Sequence, residues 1–314
     1  MPNVVLLFPG QGSQTPGMGK DLAERFPAAH EVFLAADAAV NAPLSQLCFN
    51  GPADELTRTH NAQPALLAHG AAVWAVVRET IGQCVVAAAG HSLGEFTAYH
   101  AADALPLPEA IKLVRRRGEL MYEAGQRRPG AMAAILGNAS IPIETICAQA
   151  TAEAGLAVPA NYNAPGQVVI SGEVAGVERA MAIAKEAGAK PIRLNVSGAF
   201  HSPLMEEAAA GFQAAIDLAH LADPRFPVYA NVNAQPITDA ALARLLLVEQ
   251  LTSPVQWARE VEHIAVLHPD AVYVEMGPGA VLKGLAKKIA PNLKVVTCGT
   301  GADVEALFTL MAAC

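Results

Sequence analysis

The sequence predicts an α/β protein: a mainly parallel sheet with a smaller βαββαβ unit inserted into it. Three observations carry this reading. Short apolar runs at Val4 to Phe8, Val85 to Ala89, Val228 to Val232, Ala271 to Glu275 and Leu293 to Thr297 alternate with helix-like stretches, as parallel strands joined by crossovers do. Between Gly130 and Val196 the order changes to strand, helix, strand, strand, helix, strand, which is ferredoxin-like. Gly90-His91-Ser92-Leu93-Gly94 lies directly between an apolar run and a helix-like stretch, the setting in which a strand turns sharply into a helix.

Taken along the chain, Val4 to Phe8 follows the start with neither a basic leader nor a small-residue cleavage site, so it reads as a first core strand. The glycines of Phe8-Pro9-Gly10-Gln11-Gly12-Ser13-Gln14 free backbone amides to face an anion at that strand's end, although GxGxxG spacing and a Walker lysine are both missing. At the next strand's end, glycines two residues to either side of Ser92 remove side chains that would crowd its hydroxyl. The helix N-terminus that follows favours a developing negative charge there. Ser92 is therefore the candidate nucleophile.

Leu107 to Met121 reads as an amphipathic helix with an apolar arc of Leu107, Ala110, Ile111, Leu113, Val114, Leu120 and Met121. At about 100° per residue, Arg117 falls roughly 30° from the middle of that arc, whereas Arg115 and Arg116 lie roughly 130° away. An inward guanidinium cannot shed its charge and needs an anionic partner. That partner is either a protein carboxylate or a substrate carboxylate held by two parallel hydrogen bonds.

The inserted unit runs through a strand (Ala131 to Leu136), a helix (Ile143 to Ala154), a strand (Leu156 to Tyr162), the turn Asn163-Ala164-Pro165-Gly166, a strand (Gln167 to Ser171), a helix (Val174 to Ala187) and a strand (Pro191 to Val196). It is expected to close on itself as a small domain over 127–197, within a large domain of 1–126 and 198–314. The cleft between them is the expected active site. His201 lies in Gly198-Ala199-Phe200-His201-Ser202-Pro203-Leu204, where the chain returns to the large domain, and is the best candidate base among nine histidines. His91 adjoins Ser92, but neighbours on a sharp turn point apart, so it reads as support for the turn. Glu275-Met276-Gly277-Pro278-Gly279 reads as a tight turn after a later strand.

Composition narrows the function. With 314 residues, 53% of them hydrophobic, the chain can fill a substantial core. A net charge of −8 offers no basic stripe for nucleic acid. No apolar run approaches the ~20 residues that span a bilayer, and a cytoplasmic location is expected. Cys48, Cys84, Cys147, Cys298 and Cys314 show neither CxxC nor metal-ligand spacing and read as reduced, mainly buried thiols.

Taken together, Gly10-Gln11-Gly12-Ser13-Gln14, Gln63-Pro64-Ala65, Gly90-His91-Ser92-Leu93-Gly94, Arg117-Gly118, Asn161-Tyr162-Asn163-Ala164-Pro165 and Ala199-Phe200-His201-Ser202, with Gln250 and Ser253-Pro254-Val255-Gln256-Trp257, resemble the malonyl-CoA:acyl carrier protein transacylases of bacterial type II fatty-acid synthesis. The resemblance runs from end to end. It implies an α/β-hydrolase-like core with a mainly parallel sheet and a ferredoxin-like insertion. It implies Ser92 as nucleophile, His201 as its base, and the backbone amides of Gln11 and Leu93 as oxyanion hole. The backbone carbonyl of Gln250 would orient His201 where hydrolase-like triads use an aspartate. Arg117 would hold the free carboxylate of a malonyl group. Gln63, Met121, Asn163 and Phe200 would contact substrate, Phe200 crowding a 2-methyl group. Malonyl-CoA and a holo acyl carrier protein are the implied substrates, with no metal or other cofactor.

Three rivals stand beside that reading. A free-standing acyltransferase of a polyketide pathway keeps the same catalysis. A serine thioesterase or esterase uses the same elbow, although the inward Arg117 and the missing acid speak against it. A silent subunit that only presents a carrier-binding surface would not need Ser92, His201 and Arg117. Acyl carrier proteins are strongly acidic, so a local basic patch is called for. Lys283, Lys287 and Lys288, on the helix Val281 to Ile289, are the candidates, weighed against an ordinary solvated face.

Overall fold

In a computed structural model that describes residues 1–196 and 198–313, the chain builds two sheets. Strand β1 (Val4–Phe8) is followed by helices α1 (Lys20–Arg25), α2 (Pro27–Val40), α3 (Leu44–Asn50), α4 (Ala53–Thr57) and α5 (Thr59–Ile81). Then come β2 (Val85–Gly90), α6 (Gly94–Ala101) and α7 (Leu107–Arg127). The middle holds β3 (Gly130–Leu136), α8 (Ile143–Ala154), β4 (Ala157–Ala164), β5 (Gln167–Glu173), α9 (Val174–Glu186) and β6 (Lys190–Arg193). The remainder is α10 (Glu206–Leu218), β7 (Val228–Tyr229), β8 (Pro236–Ile237), α11 (Ala240–Glu249), α12 (Trp257–Leu267), β9 (Val272–Glu275), α13 (Val281–Ile289), β10 (Lys294–Thr297) and α14 (Gly301–Ala312).

The larger sheet has the order β10-β9-β1-β2-β7-β8. All its pairings are parallel except that of β7 with β8. A parallel strand covered on both faces needs an unbroken apolar run, and β1 has one, with all five residues buried. Val4, Leu6 and Phe8 enter the cluster on one face, and Val5 and Leu7 the cluster on the other.

The smaller sheet has the order β4-β5-β3-β6, and every neighbouring pair is antiparallel. Alternation divides its faces. Ala131, Ala133 and Ile135 of β3 pack with Ile146 and Ala150 of α8 and Val177 and Ile183 of α9. Met132 and Ala134 face the cavity described below.

Three sequence readings are corrected. The strand expected over Val228 to Val232 ends at Tyr229, because Asn231 turns its side chain beneath the serine elbow; the short return strand β8 was not foreseen. The turn expected over Asn163 to Gly166 tightens to Pro165-Gly166, with Asn163 and Ala164 still in β4. The last strand of the unit is Lys190–Arg193, not Pro191 to Val196. Tyr162 N donates to Val255 O at 2.9 Å and Val255 N to Ala160 O at 2.9 Å, so the open edge of β4 is bridged by the segment before α12.

Cys48, Cys147 and Cys298 are buried and Cys84 is half-buried, all with free thiols; Ser197 and Cys314 lie outside the described residues. Among the described residues no helix is long and apolar enough to cross a membrane, and no cluster of His, Cys, Asp and Glu could hold a metal ion.

Candidate active site

The site begins at the bend between β2 and α6. His91 N donates to Phe8 O at 2.9 Å, and Ser92 then takes φ 53, a left-handed backbone. Such a conformation costs a non-glycine residue about 1 kcal/mol or more and persists where its surroundings enforce it. Two side chains do so here. Ser92 N donates to Asn231 Oδ1 at 2.7 Å, and Ser92 O accepts from Gln250 Nε2 at 3.1 Å. The bend also needs its glycines: a Cβ on Gly90 would lie 1.9 Å from the Gly94 carbonyl carbon, and one on Gly94 would lie 2.2 Å from Phe8 O. Gly94→Ala is expected to cost about 3 kcal/mol through overpacking, read as a lowered urea midpoint. An unchanged midpoint would mean that the bend yields freely.

His201 reaches Ser92 from the loop that follows β6, itself at φ 56. Ser92 Oγ lies 2.8 Å from His201 Nε2, and His201 Nδ1 lies 2.8 Å from Gln250 O. A carbonyl only accepts, so Nδ1 carries the proton and Nε2 is free to take one from the serine. Burial, with Arg117's charge adding to it, pushes the imidazole down to about 3. It therefore stays neutral and receptive at ordinary pH.

Arg117 stands where helical phase predicted, on the buried face of α7 and 1% exposed. Arg116 is exposed and pairs with Glu119 and Glu123, and Arg115 binds Glu119 and Asn61. The hydrogen-bond partners of Arg117 among the described residues are all uncharged: Nη1 donates to Gln63 Oε1 at 2.8 Å, and Nη2 to Gln250 Oε1 at 2.7 Å and to Ser92 Oγ at 3.2 Å. The guanidinium also lies 5.6 Å from the centre of the Phe96 ring. Burial lowers its pKa to about 10 against a pull upward from Glu95, and it remains a cation.

A buried polar layer lies below. Glu95 Oε2 accepts from Gln250 Nε2 at 2.6 Å and from Asn231 N at 3.1 Å, while Asn231 Nδ2 donates to Gly90 O at 2.8 Å and Glu260 Oε1 at 3.0 Å. Glu95, Asn231 and Glu260 are fully buried, and the sequence reading missed all three. The only signal was Glu95's place directly after the elbow; Asn231 was hidden in an expected strand.

A cavity of about 330 Å³ opens above Ser92 between the two sheets. It is bordered by Gln11, Leu93, Gln63, Met121, Asn163 and Phe200, so every candidate substrate residue reaches it. Several of them are engaged with protein groups. Gln63 Nε2 donates to Met121 Sδ at 3.4 Å, and Asn163 Oδ1 lies 2.8 Å from His91 Nε2. His91 thus ties the elbow to β4, the supporting part assigned to it. The segment after β9 holds more than a turn: the buried Glu275 carboxylate accepts from Leu282 N at 2.9 Å and Lys283 N at 2.8 Å, fixing the start of α13. Val281, Leu282 and Leu285 of that helix border the cavity, while Lys283, Lys287 and Lys288 are exposed. Chemically, the arrangement joins an activated hydroxyl to a buried cation whose hydrogen-bond partners among the described residues are uncharged, which suits acyl transfer from a donor bearing a carboxylate.

Comparison with known proteins agrees with this chemistry. The model of the acyl transferase domain family matches residues 5–296. The malonyl CoA-acyl carrier protein transacylase of Bacillus subtilis (strain 168) is 44% identical over 306 residues, covering 97% of this chain and 96% of the relative. The crystal structure of acyl-carrier-protein-S-malonyltransferase from Bartonella henselae superposes with a TM-score of 0.93 at 40% identity, over 99% of each chain. A malonyl-transacylase solved in complex with a holo type II polyketide acyl-carrier protein superposes with a TM-score of 0.93 at 38% identity, over 98% of this chain and 99% of that one.

Proposed function

Since the chain belongs to the acyl transferase domain family, we propose that it moves a malonyl group from malonyl-CoA to the phosphopantetheine thiol of an acyl carrier protein, through a malonyl ester on Ser92, for fatty-acid chain extension. The observation that carries the reading is Arg117, a buried cation with only uncharged contacts, 3.2 Å from the nucleophilic oxygen. A malonyl carboxylate taking the Nη groups would set its thioester carbonyl beside Ser92 Oγ.

Ser92 Oγ attacks that carbonyl as its proton passes to His201 Nε2. The oxyanion falls to the backbone amides of Gln11 and Leu93, the latter at the start of α6, where the helix N-terminus favours negative charge. Collapse expels coenzyme A, which leaves as the thiol with the proton from His201. The carrier's thiol then gives its proton to His201, attacks the ester and restores Ser92. Gln250 O keeps the imidazole in one tautomer throughout. Gln63, Met121, Asn163 and Phe200 shape the acyl and pantetheine side of the cavity, and no metal or other cofactor enters any step.

The same reading takes 127–197 as a ferredoxin-like small domain inserted between 1–126 and 198–314, supported by the strand order β4-β5-β3-β6, and places the enzyme in the cytoplasm. The exposed lysines of α13, beside the cavity mouth, are read as the landing point for the acidic carrier. Lys283→Glu with Lys287→Glu is expected to raise KM for the carrier about ten-fold while leaving KM for malonyl-CoA unchanged, as rim charges act on encounter; an unchanged carrier KM would discard the patch. A polyketide carrier is the second reading, favoured by the likeness to the malonyl-transacylase bound to one, and a panel of holo carriers separates the two.

The deciding test is the intact mass of the protein after brief exposure to malonyl-CoA. A malonyl adduct on the wild type, absent from Ser92→Ala and discharged by a holo carrier, is the expected result. Steady release of coenzyme A without an adduct would make the protein a hydrolase.

A further inference from the structure

Glu95 sits one amide away from Arg117. Gln250 Oε1 accepts from Arg117 Nη2 at 2.7 Å, and Gln250 Nε2 donates to Glu95 Oε2 at 2.6 Å. The cation therefore has a carboxylate behind it, relayed through a neutral side chain, while among the described residues its Nε has no hydrogen-bond partner and its Nη1 a single one. Among the described residues Glu95 Oε1 has no hydrogen-bond partner, and it is fully buried, so the carboxylate is not there to complete a saturated polar network. We infer that Glu95 is the resting counter-charge of Arg117, a positioning residue whose negative charge sets how strongly the site prefers an anionic acyl group over a neutral one. The inference rests on the malonyl reading above.

The physical argument is competition. With Glu95 ionised, Arg117 is already compensated, and an incoming malonyl carboxylate adds a second anion to one cation. With Glu95 neutral, the desolvated cation gains its only anion from the substrate. An acetyl group feels neither state. By linkage, a bound malonyl carboxylate in turn favours protonated Glu95.

Burial lifts the Glu95 carboxyl to about 7, opposed by the hydrogen bonds from Gln250 and Asn231 and by the charge of Arg117. The sign follows: below about 7 Glu95 carries its proton and the preference for malonyl is strong, and above it the carboxylate competes and the preference weakens. The other ionisable groups coupled to it are Glu260 of α12 and Tyr99 of its own helix. Burial raises both well above their ordinary values, which favours their neutral forms. Of the other elements packed on α6, α5 brings His69, which faces Gly299 O, and β7 brings Tyr229, which faces Tyr273. β1 and β2 bring no ionisable side chain.

The test compares kcat/KM for malonyl-CoA and acetyl-CoA in the wild type and in Glu95→Gln, at about pH 6 and pH 8. Glutamine keeps an acceptor for Gln250 and Asn231 and removes only the charge. His201 serves both donors alike and cancels in the ratio; a malonyl carboxyl titrates near 4, below the window. In the wild type the malonyl-to-acetyl ratio is expected to fall by up to roughly ten-fold from pH 6 to pH 8, the equivalent of one pKa unit of coupling. In Glu95→Gln it is expected to stay at the higher value at both. A ratio that ignores pH in the wild type, or a variant whose ratio at pH 8 equals the wild type's lowered one, would overturn the inference and leave Glu95 as support for the elbow. Should the variant not fold, the pH dependence of the wild-type ratio decides by itself. Acetylation of Ser92 without malonylation at either pH would sink the malonyl reading first, and this inference with it.

Discussion

His201→Ala is expected to slow the acylation of Ser92 about 10⁴-fold, the usual cost of losing the base from a nucleophile–base pair. The effect should fall on kcat and not on KM, because the ring nitrogens of His201 face the serine and Gln250 O and do not hydrogen-bond the groups that would hold the acyl carboxylate. Stopped-flow release of coenzyme A measures it directly. A loss below about ten-fold would mean that the proton leaves Ser92 by another route. The wild-type imidazole carries its own pH signature. Held near 3 by burial and by Arg117, it remains a neutral base, so the rate of acetylation should be flat through about pH 5 to 8. A fall in rate centred near 6.5, where a free imidazole titrates, would contradict the burial argument.

Arg117→Ala is expected to cut kcat/KM for malonyl-CoA by roughly 10²–10³-fold, as truncating one member of a buried, hydrogen-bonded charge pair costs about 2–5 kcal/mol. Acetyl transfer should fall far less, since a methyl group has nothing to offer the guanidinium. The difference between donors is the informative quantity. Gln63, Gln250 and Ser92 all lose a hydrogen bond in this variant, and that general damage acts on both substrates. A malonyl-specific excess is the clamp. Equal loss on both acyl groups would reduce Arg117 to a brace for Gln250 and the elbow.

The two arms of this site were legible in the sequence to different depths. Ser92 announced itself because a nucleophile on a strand-to-helix bend needs glycines at fixed offsets, and such local backbone requirements are written locally. Arg117 was distinguishable from Arg115 and Arg116 by helical phase alone, because a helix repeats every 3.6 residues whatever surrounds it. The strand runs β1 and β2 were visible because a parallel strand buried on both faces is apolar throughout. His201 was placed at the cleft by chain order, which is topology and not geometry.

What only the tertiary structure decided is the layer under the elbow. Glu95, Asn231 and Glu260 lie on α6, after β7 and on α12, and no periodicity or spacing connects them; only their burial around Ser92 and Gln250 does. The same holds for the double part of Gln250, whose backbone oxygen holds His201 while its side chain lies between Arg117 and Glu95. The bridge from Val255 to β4 and the carboxylate of Glu275 at the start of α13 belong to the same class. Sequence by itself pointed to the main strands, their order and the candidates Ser92 and Arg117, because those follow from short-range sterics and the separation of apolar from polar faces. The charge state of the site came only with the fold, because a buried carboxyl takes its pKa from neighbours that sequence distance does not reveal.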